Sequence, residues 1–506
     1  MVEPSLTPGP RALQRPLARL PLCLLAGLSA CGLGRWFSNG FKVGPNYEQP
    51  DAQTADQWID YQSPNLARTE VDLSQWWTVF KDPALDRLIA EAWQQNLGLK
   101  ASLARVAEAA AQLGIARGEI WPQQQQINGS YSANKLSTQG GTPVIGSQWV
   151  SNLTLGAQVG WELDLWGRYR RSIEAADADL QATQADHDDA TVVLLSEVAA
   201  DYLRYRTFQE RLAAAKHNVE IQQSNYELVV LRRDAGAVTD RDVNMAKQVL
   251  EETRSLVPTL EQGIREANNA LCVLRGQPPH DLAGELGATG AIPALPVQVA
   301  IGAPADLLRR RPDIRSAERQ LAAQSARIGV AESDLYPHLS LVGGLGVTAA
   351  NSGNLFDTPH SLFGFIGPTF TWNVLNYGRF ENNIEAQQQR FEQLTYSYRD
   401  TVLRASREAE DSIASFLHSQ QRAGSLQLSR DAADRTLQIT LDQYREGTVD
   451  FTPVFLFAST LAAQDDALAD ARGAIALSLV ALYRSLGGGW HLPAPEAPAE
   501  PPEQQR

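Results

Sequence analysis

The chain has 506 residues, 43% hydrophobic and 20% charged, the composition of a folded protein and not of a disordered one. Asp and Glu outnumber Lys and Arg by 58 to 44, for a formal charge of -14. That balance argues against a nucleic-acid partner, because phosphates must be neutralised by basic side chains.

The first segment reads as a targeting signal. Arg11, Arg15 and Arg19 precede an apolar run, Leu20 to Ala30, that is too short to span a bilayer as a helix. Leu28-Ser29-Ala30-Cys31 then places small residues before a cysteine and resembles a bacterial lipobox. On this reading residues 1–30 are a lipoprotein signal peptide, and Cys31 begins the mature chain and carries its acyl groups. The alternative is a plain secretory signal with an incidental cysteine. Gly32, where an Asp would mark retention, resembles the pattern for delivery to the outer membrane. Cys23 leaves with the signal, so Cys272 has no free partner and no intrachain disulfide forms. It reads as a small buried apolar residue.

Residues 31–80 read as a lipidated N-terminal segment and, together with a linker at 276–304, as a belt rich in Pro, Gly and Trp. Between and beyond them the chain is written twice, as a first repeat at 81–275 and a second at 305–490. Each repeat is read as an entry helix, a strand pair, a long helix and a tip hairpin, and Gly114 to Pro122 is echoed by Gly329 to Pro337. Trp161-Glu-Leu-Asp-Leu-Trp-Gly-Arg168 is echoed by Trp372-Asn-Val-Leu-Asn-Tyr-Gly-Arg379, and Glu197 and Gly236 by Glu408 and Gly447.

Each repeat begins its middle part with β-like segments. From Leu153 to Leu165 apolar odd positions alternate with polar or glycine even ones, the signature of a strand with two unlike faces. Leu339, Leu341, Leu345 and Val347 do the same in the second repeat, with weaker partners at Gln126–Ser132 and Phe365–Val374. After each comes a stretch of 68 residues, Arg168–Ala235 and Arg379–Glu446, without proline and with Gly424 as the only glycine. As helices these would be on the order of 100 Å long at 1.5 Å per residue. Leu195, Val198, Tyr202, Tyr205 and Leu212 follow coiled-coil spacing, as do Leu437, Leu441 and Tyr444. Gly236 and Gly447 end the two helices, and Thr239 or Asp240, and Asp450 or Thr452, cap the helices that follow. The fold class is therefore mainly α with a β part: a duplicated strand pair with long helical hairpins. Residues 491–506 carry five prolines and form a disordered tail.

Four strands cannot close a membrane barrel, since bacterial ones begin at about eight. Either the sheet packs on helices, or several chains pool their strands. The lipobox favours pooling, and three chains would give twelve strands.

At this point the chain resembles the outer-membrane efflux factor family, the TolC-like group, in particular its lipoprotein branch. The resemblance is carried by Val43-Gly-Pro-Asn-Tyr-Glu-Gln-Pro50, Asp306-Leu-Leu-Arg-Arg-Arg-Pro-Asp-Ile-Arg315, Leu163 to Arg168 with its echo at Asn376 to Arg379, and Leu486-Gly-Gly-Gly-Trp490. It implies a homotrimer with a twelve-stranded outer-membrane β-barrel continued by a twelve-helix periplasmic α-barrel. It implies a channel of a tripartite pump that conducts passively, partnered by a periplasmic adaptor and an inner-membrane transporter. It implies no enzyme activity and no cofactor beyond the lipid on Cys31. Arg309, Arg310 and Arg311 then read as a structural anchor for the second entry helix.

Closed members of that family resemble one another in an acidic constriction at the periplasmic tip, six and nine residues beyond the second tip glycine. This chain departs, with Pro453 and Leu456 there. The constriction expected here is partly apolar, with Leu456, Phe451 and Phe455, and with Asp240, Asp242 and Asp450 at its rim. The competing reading is that these aspartates only cap helices. Trp161, Trp166, Trp372 and Tyr377, where strands meet helices, read as membrane-interface aromatics or as packing at the bend.

No chemistry competes with this. The seven histidines have no metal-ligand spacing. Glu162 and Asp164 could face one another as a glycosidase pair, but the alternation makes them pore-facing polar residues. Two further readings stay open: a type I secretion duct, and a lipid-anchored periplasmic coiled-coil scaffold without a pore.

Overall fold

A computed structural model describes residues 34, 36–67, 73–135, 149–287, 289–302, 304 and 310–490. The expected signal peptide, Cys31, Arg309 and the Pro-rich tail lie outside the described residues. The chain divides into two compact units. A strand unit comprises the residues up to Pro45, Gly118–Ser172 and Arg327–Ile384, and a helical unit comprises Asn46–Arg117, Ile173–Ala326 and the residues from Glu385 onward.

The strands are β1 (Leu66–Ala67), β2 (Gln124–Lys135), β3 (Trp149–Leu163), β4 (Val299–Ala300), β5 (His338–Ala349) and β6 (Leu362–Thr371). The helices are α1 (Pro83–Gln95), α2 (Leu97–Gly118), α3 (Arg168–Asp234), α4 (Asp240–Leu274), α5 (Pro312–Ser333), α6 (Arg379–Arg445) and α7 (Phe451–Ser485), with single turns at Ala283–Leu286 and Thr358–Ser361. Helices α3 and α6 are 67 residues each, and α4 and α7 are 35 each. The order α2-β2-β3-α3-α4 recurs as α5-β5-β6-α6-α7.

In the strand unit, β2, β3, β5 and β6 form one antiparallel sheet in that order. The two repeats join at its centre, β3 against β5, and leave β2 and β6 as edges. Register places several odd residues of β3 opposite apolar partners: Ala157 faces Ile127 and Leu345, Leu155 faces Val347, and Trp161 faces Leu341. Leu339 pairs with Phe370 and Val347 with Leu362. Because side chains alternate, the other face collects Gln126 beside Gln158, Ser130 beside Thr154, Thr154 beside Thr348, and Ser340 beside Thr369, with Val342, Phe363 and Phe365 as its apolar members. Among the described residues nothing covers the apolar face: Ile127, Leu345, Ile366 and Phe370 are all exposed.

Two glycines explain the Val43-Gly-Pro signature. A Cβ on Gly44 would lie 2.4 Å from the Cα of Gly329, so the two backbones touch where any larger residue would part them. The fully buried Arg171 completes that joint, its guanidinium donating to the carbonyls of Val43 and Gly44 at 3.1 Å each.

In the helical unit the coiled-coil seam residues Leu195, Val198, Tyr202 and Tyr205 join Trp76, Trp77, Phe80, Leu271, Ile413, Phe416 and Leu479 in one core. Cys272 is buried in the same core. The two belt segments meet, β1 pairing in parallel with β4, and Trp58 Nε1 donates to the carbonyl of Gly302 at 3.2 Å. Arg311, one residue before α5, pairs with Asp313 and with Glu408, the repeat landmark on α6, and donates to the Ser485 carbonyl at the end of α7. Cross-helix ion pairs tie the long helices together: Arg211 on α3 to Asp466 on α7 at 2.7 Å, and Arg430 on α6 to Asp465 on α7 at 2.8 Å. Among the described residues no helix is long and apolar enough to cross a membrane.

Candidate functional site

The residues expected to matter for a channel lie on the polar face of the sheet and at the helix tips. The polar face is threaded with side-chain hydrogen bonds. Thr348 Oγ1 donates to Asn152 Oδ1 at 2.7 Å, and Thr154 Oγ1 lies 3.1 Å from Thr348 Oγ1. Glu162 accepts from the Tyr169 hydroxyl at 3.2 Å and lies 2.8 Å from His338 Nδ1. Asp164 corrects one expectation. It lies beyond the end of β3, and its carboxylate accepts from the backbone N–H groups of Tyr169 and Arg170 and from Arg170 Nε, fixing the start of α3. It therefore does not share a strand face with Glu162.

Three of the four junction aromatics, Trp161, Trp166 and Trp372, tie the strand ends to the segments beside them. Trp161 Nε1 donates to the Ile120 carbonyl at 3.0 Å, and Trp372 Nε1 does the same to Leu335 at 3.0 Å. Trp166 stacks on Tyr336 at 4.4 Å between centroids and donates to the Pro337 carbonyl. Tyr377 stands out, 95% exposed.

At the tip, both long helices end in the same way. Gly236 and Gly447 take left-handed conformations, φ 76° and 73°. The N–H of Ala237 bonds to the carbonyl of Arg232 and that of Gly236 to Arg233, and Thr448 to Gln443 and Gly447 to Tyr444 repeat the pattern. This six-to-one, five-to-two pairing satisfies the last carbonyls of a helix and turns the chain back. Thr239 is the cap of α4 and Asp450 that of α7.

The expected rim residues differ in what they do. Asp242 is 6% exposed and accepts from Thr239 N at 2.9 Å and Thr239 Oγ1 at 2.8 Å. Burial pushes its carboxyl up, but the bonds from Thr239 and Arg241 outweigh it and hold the group below the usual carboxylate range. Asp450 accepts from Thr452 N and Oγ1 at 3.3 Å each and is exposed. Asp240 is exposed, 3.4 Å from Arg233. Leu456 is 55% exposed, whereas Phe451 is buried in a tip core with Val229, Leu437, Tyr444 and Val454, and Phe455 packs against it.

One tip residue had no signal in the sequence. Arg232, on the last turn of α3, lays its guanidinium 4.2 Å from the Tyr444 ring centre and donates to the carbonyls of Tyr444 and Arg445 at 2.8 and 3.0 Å. A cation on the C-terminal carbonyls of α6 is favoured by the helix dipole and by the ring face. It clamps the two hairpins together across 212 residues of sequence. Its contacts depend on which side chains face each other between hairpins, which spacing alone does not reveal.

A single antiparallel sheet assembled from two repeated strand pairs, with paired long helical hairpins, is the fold that this chain shares with solved outer-membrane channels. The chain belongs to the outer membrane efflux protein family, which it matches over residues 88–277 and again over 303–488. This is a family of non-enzymatic outer-membrane channels, and the two matched stretches fall on the two repeats. Nodulation protein T of Rhizobium leguminosarum bv. trifolii is 28% identical over 463 residues, covering 90% of this chain and 95% of that protein. The pyoverdine export outer membrane protein OpmQ of Pseudomonas aeruginosa is 30% identical over 83% of this chain and 88% of its own length. Among solved structures, the outer-membrane channel OprN superposes with a TM-score of 0.83 at 33% identity, over 88% of this chain and 99% of that one.

Proposed function

We propose that the chain is the outer-membrane duct of a tripartite efflux pump, passively conducting small exported molecules from the periplasm to the outside. The observation that carries this is the four-stranded sheet, apolar on one face, more polar on the other and, among the described residues, unpaired at both edges. In lipid an open edge leaves backbone groups unsatisfied, so a spanning sheet must close on itself. Three copies would pool twelve strands, above the roughly eight that a barrel needs. Helices α3, α4, α6 and α7 of three copies then continue the barrel as a tunnel, which an adaptor and an inner-membrane transporter engage. Acylation at Cys31 anchors the mature chain to the same membrane, and Trp161, Trp166, Trp372 and Tyr377 mark its interface.

The narrow point in this reading is the tip, with Leu456 as its apolar element and Asp240 and Asp450 at the rim. Asp242 supports it as a cap from beneath. The relatives carry different cargoes in their names, pyoverdine export for OpmQ and a cation efflux system for CusC of Escherichia coli. Cargo therefore rests with the transporter in this reading.

The test is conductance of the purified protein in planar bilayers. Discrete opening steps are expected, larger in Asp450→Ala or Leu456→Ala. Silence from a protein that inserts would favour the anchored scaffold, and unaltered steps in both variants would remove the gate assignment.

A further inference from the structure

The duplication lets one seam of the sheet serve as a template for another. Within each repeat the same joint occurs at equivalent residues: Trp161 on the Ile120 carbonyl, and Trp372 on the Leu335 carbonyl, both at 3.0 Å. Between the repeats, along the β3–β5 seam, the joint is different. Trp166, just past β3, stacks on Tyr336, just before β5, with ring planes 20° apart, and donates to the Pro337 carbonyl at 2.8 Å.

The duplication maps Trp166 onto Tyr377, and Tyr336-Pro337 onto Trp121-Pro122. The matching joint would therefore be Tyr377 on Trp121. The chain cannot make it alone, because Tyr377 follows β6 and Trp121 precedes β2, at opposite edges of the sheet. Both rings are left uncovered, Tyr377 95% and Trp121 67% exposed. These are the two edges that the pooled barrel brings together.

A second observation singles out Tyr377. Its φ is 55°, a left-handed conformation that residues with a side chain rarely hold, and Trp166 does not share it. Asn376 Oδ1 accepts from Gly378 N at 3.0 Å and pins the turn around it. A strained, pinned backbone thus presents a bare aromatic ring outward, and a stacking contact is what offsets such strain.

We propose that Tyr377 of each copy stacks on Trp121 of the next copy, locking the interchain seam as Trp166 and Tyr336 lock the internal one. The occupant is a second copy of this chain, and the proposal rests on the trimeric barrel reading above. The ring pair lies where strands pass into helices, so its outer edge still faces the headgroup region. Tyr377 is then a specificity residue for self-assembly, and its hydroxyl is the group available to the Pro122 carbonyl of the neighbour.

The test places the photocrosslinking aromatic p-benzoylphenylalanine at position 377 in the full chain, in native outer membranes. Irradiation should give a band at twice the chain mass, with the adduct mapped by mass spectrometry to the segment containing Trp121. The same residue at position 336 should give an internal adduct near Trp166 and no such band. The particle mass in detergent is measured on the same preparation. A trimer whose adducts map elsewhere, or that gives none, overturns the stacking and leaves the trimer standing. A monomer overturns both. As a second readout, Tyr377→Ala should lower the temperature at which the assembly dissociates while Tyr377→Phe largely preserves it, and equal loss or no loss in both contradicts the stacked pair.

Discussion

Replacing Arg311 is the substitution whose cost follows most directly from its surroundings. The guanidinium side chain is 11% exposed and makes a forked pair with Asp313 at 3.1 and 2.8 Å, a bond to Glu408 at 2.9 Å and a bond to the Ser485 carbonyl at 3.0 Å. Arg311→Met keeps the volume but strands two carboxylates and a carbonyl. Removing one partner of a buried pair costs roughly 3–5 kcal/mol. Glu408 is half exposed, so water recovers part of that, and a loss of about 2–3 kcal/mol is expected. Arg311→Lys retains the charge but not the fork, and should lose on the order of 1 kcal/mol. The assay is thermal denaturation in detergent followed by far-UV circular dichroism. The Met variant should melt several degrees below the wild type with the Lys variant between. A Met variant that melts with the wild type would show that this motif does not anchor α5 to α6 and α7.

Three further outcomes are expected. Gly44→Leu should abolish accumulation of assembled protein in the outer membrane, because its side chain would overlap the backbone of Gly329, and immunoblotting of membrane fractions reads this out. Asp189 is pushed up to about 6, mainly by burial and next by the neighbouring Asp313. A raised carboxylate favours the folded chain only while protonated, so the penalty is absent below about pH 4 and complete above about pH 6. Asp189→Asn should then raise stability by about 1–2 kcal/mol at pH 8, after allowance for solvent screening, with no gain at pH 4, as read from melting curves at both values. Asp242→Ala removes the carboxylate that accepts from Thr239 and should cost about 1 kcal/mol locally, seen as faster amide hydrogen exchange over residues 236–246.

Much of the architecture was legible because duplication and periodicity are properties of sequence. The alternation from Leu153 to Leu165 marked β3, since its two faces meet different surroundings, although the strand itself runs from Trp149 to Leu163. β2 was weaker: Gln124-Gln-Gln-Ile-Asn-Gly-Ser130 has few apolar residues, and its pairing with β3 supplies what its own pattern lacks. Phe365–Val374 was placed late by three residues, since Trp372 and Val374 continue the apolar pattern after the pairing with β5 has ended. The aspartates at the tip were ambiguous for a physical reason. A helix cap and a channel rim both call for an Asp at the first turn, and only the bonds at Asp242 separate it from the exposed Asp240. Phe451 was expected at the constriction, where spacing alone offers no partner for it; it is instead buried in the tip core against the ring of Tyr444, 5.6 Å away. Arg232 was invisible because its partners come from the other repeat.

The pooled barrel is the claim on which duct, gate and interchain stack all depend, and the mass of the purified particle tests it most directly. Native mass spectrometry of the full chain released from detergent should give three copies as the dominant species. A particle of one copy that is stable in the same detergent would leave both sheet edges open, and would contradict the account.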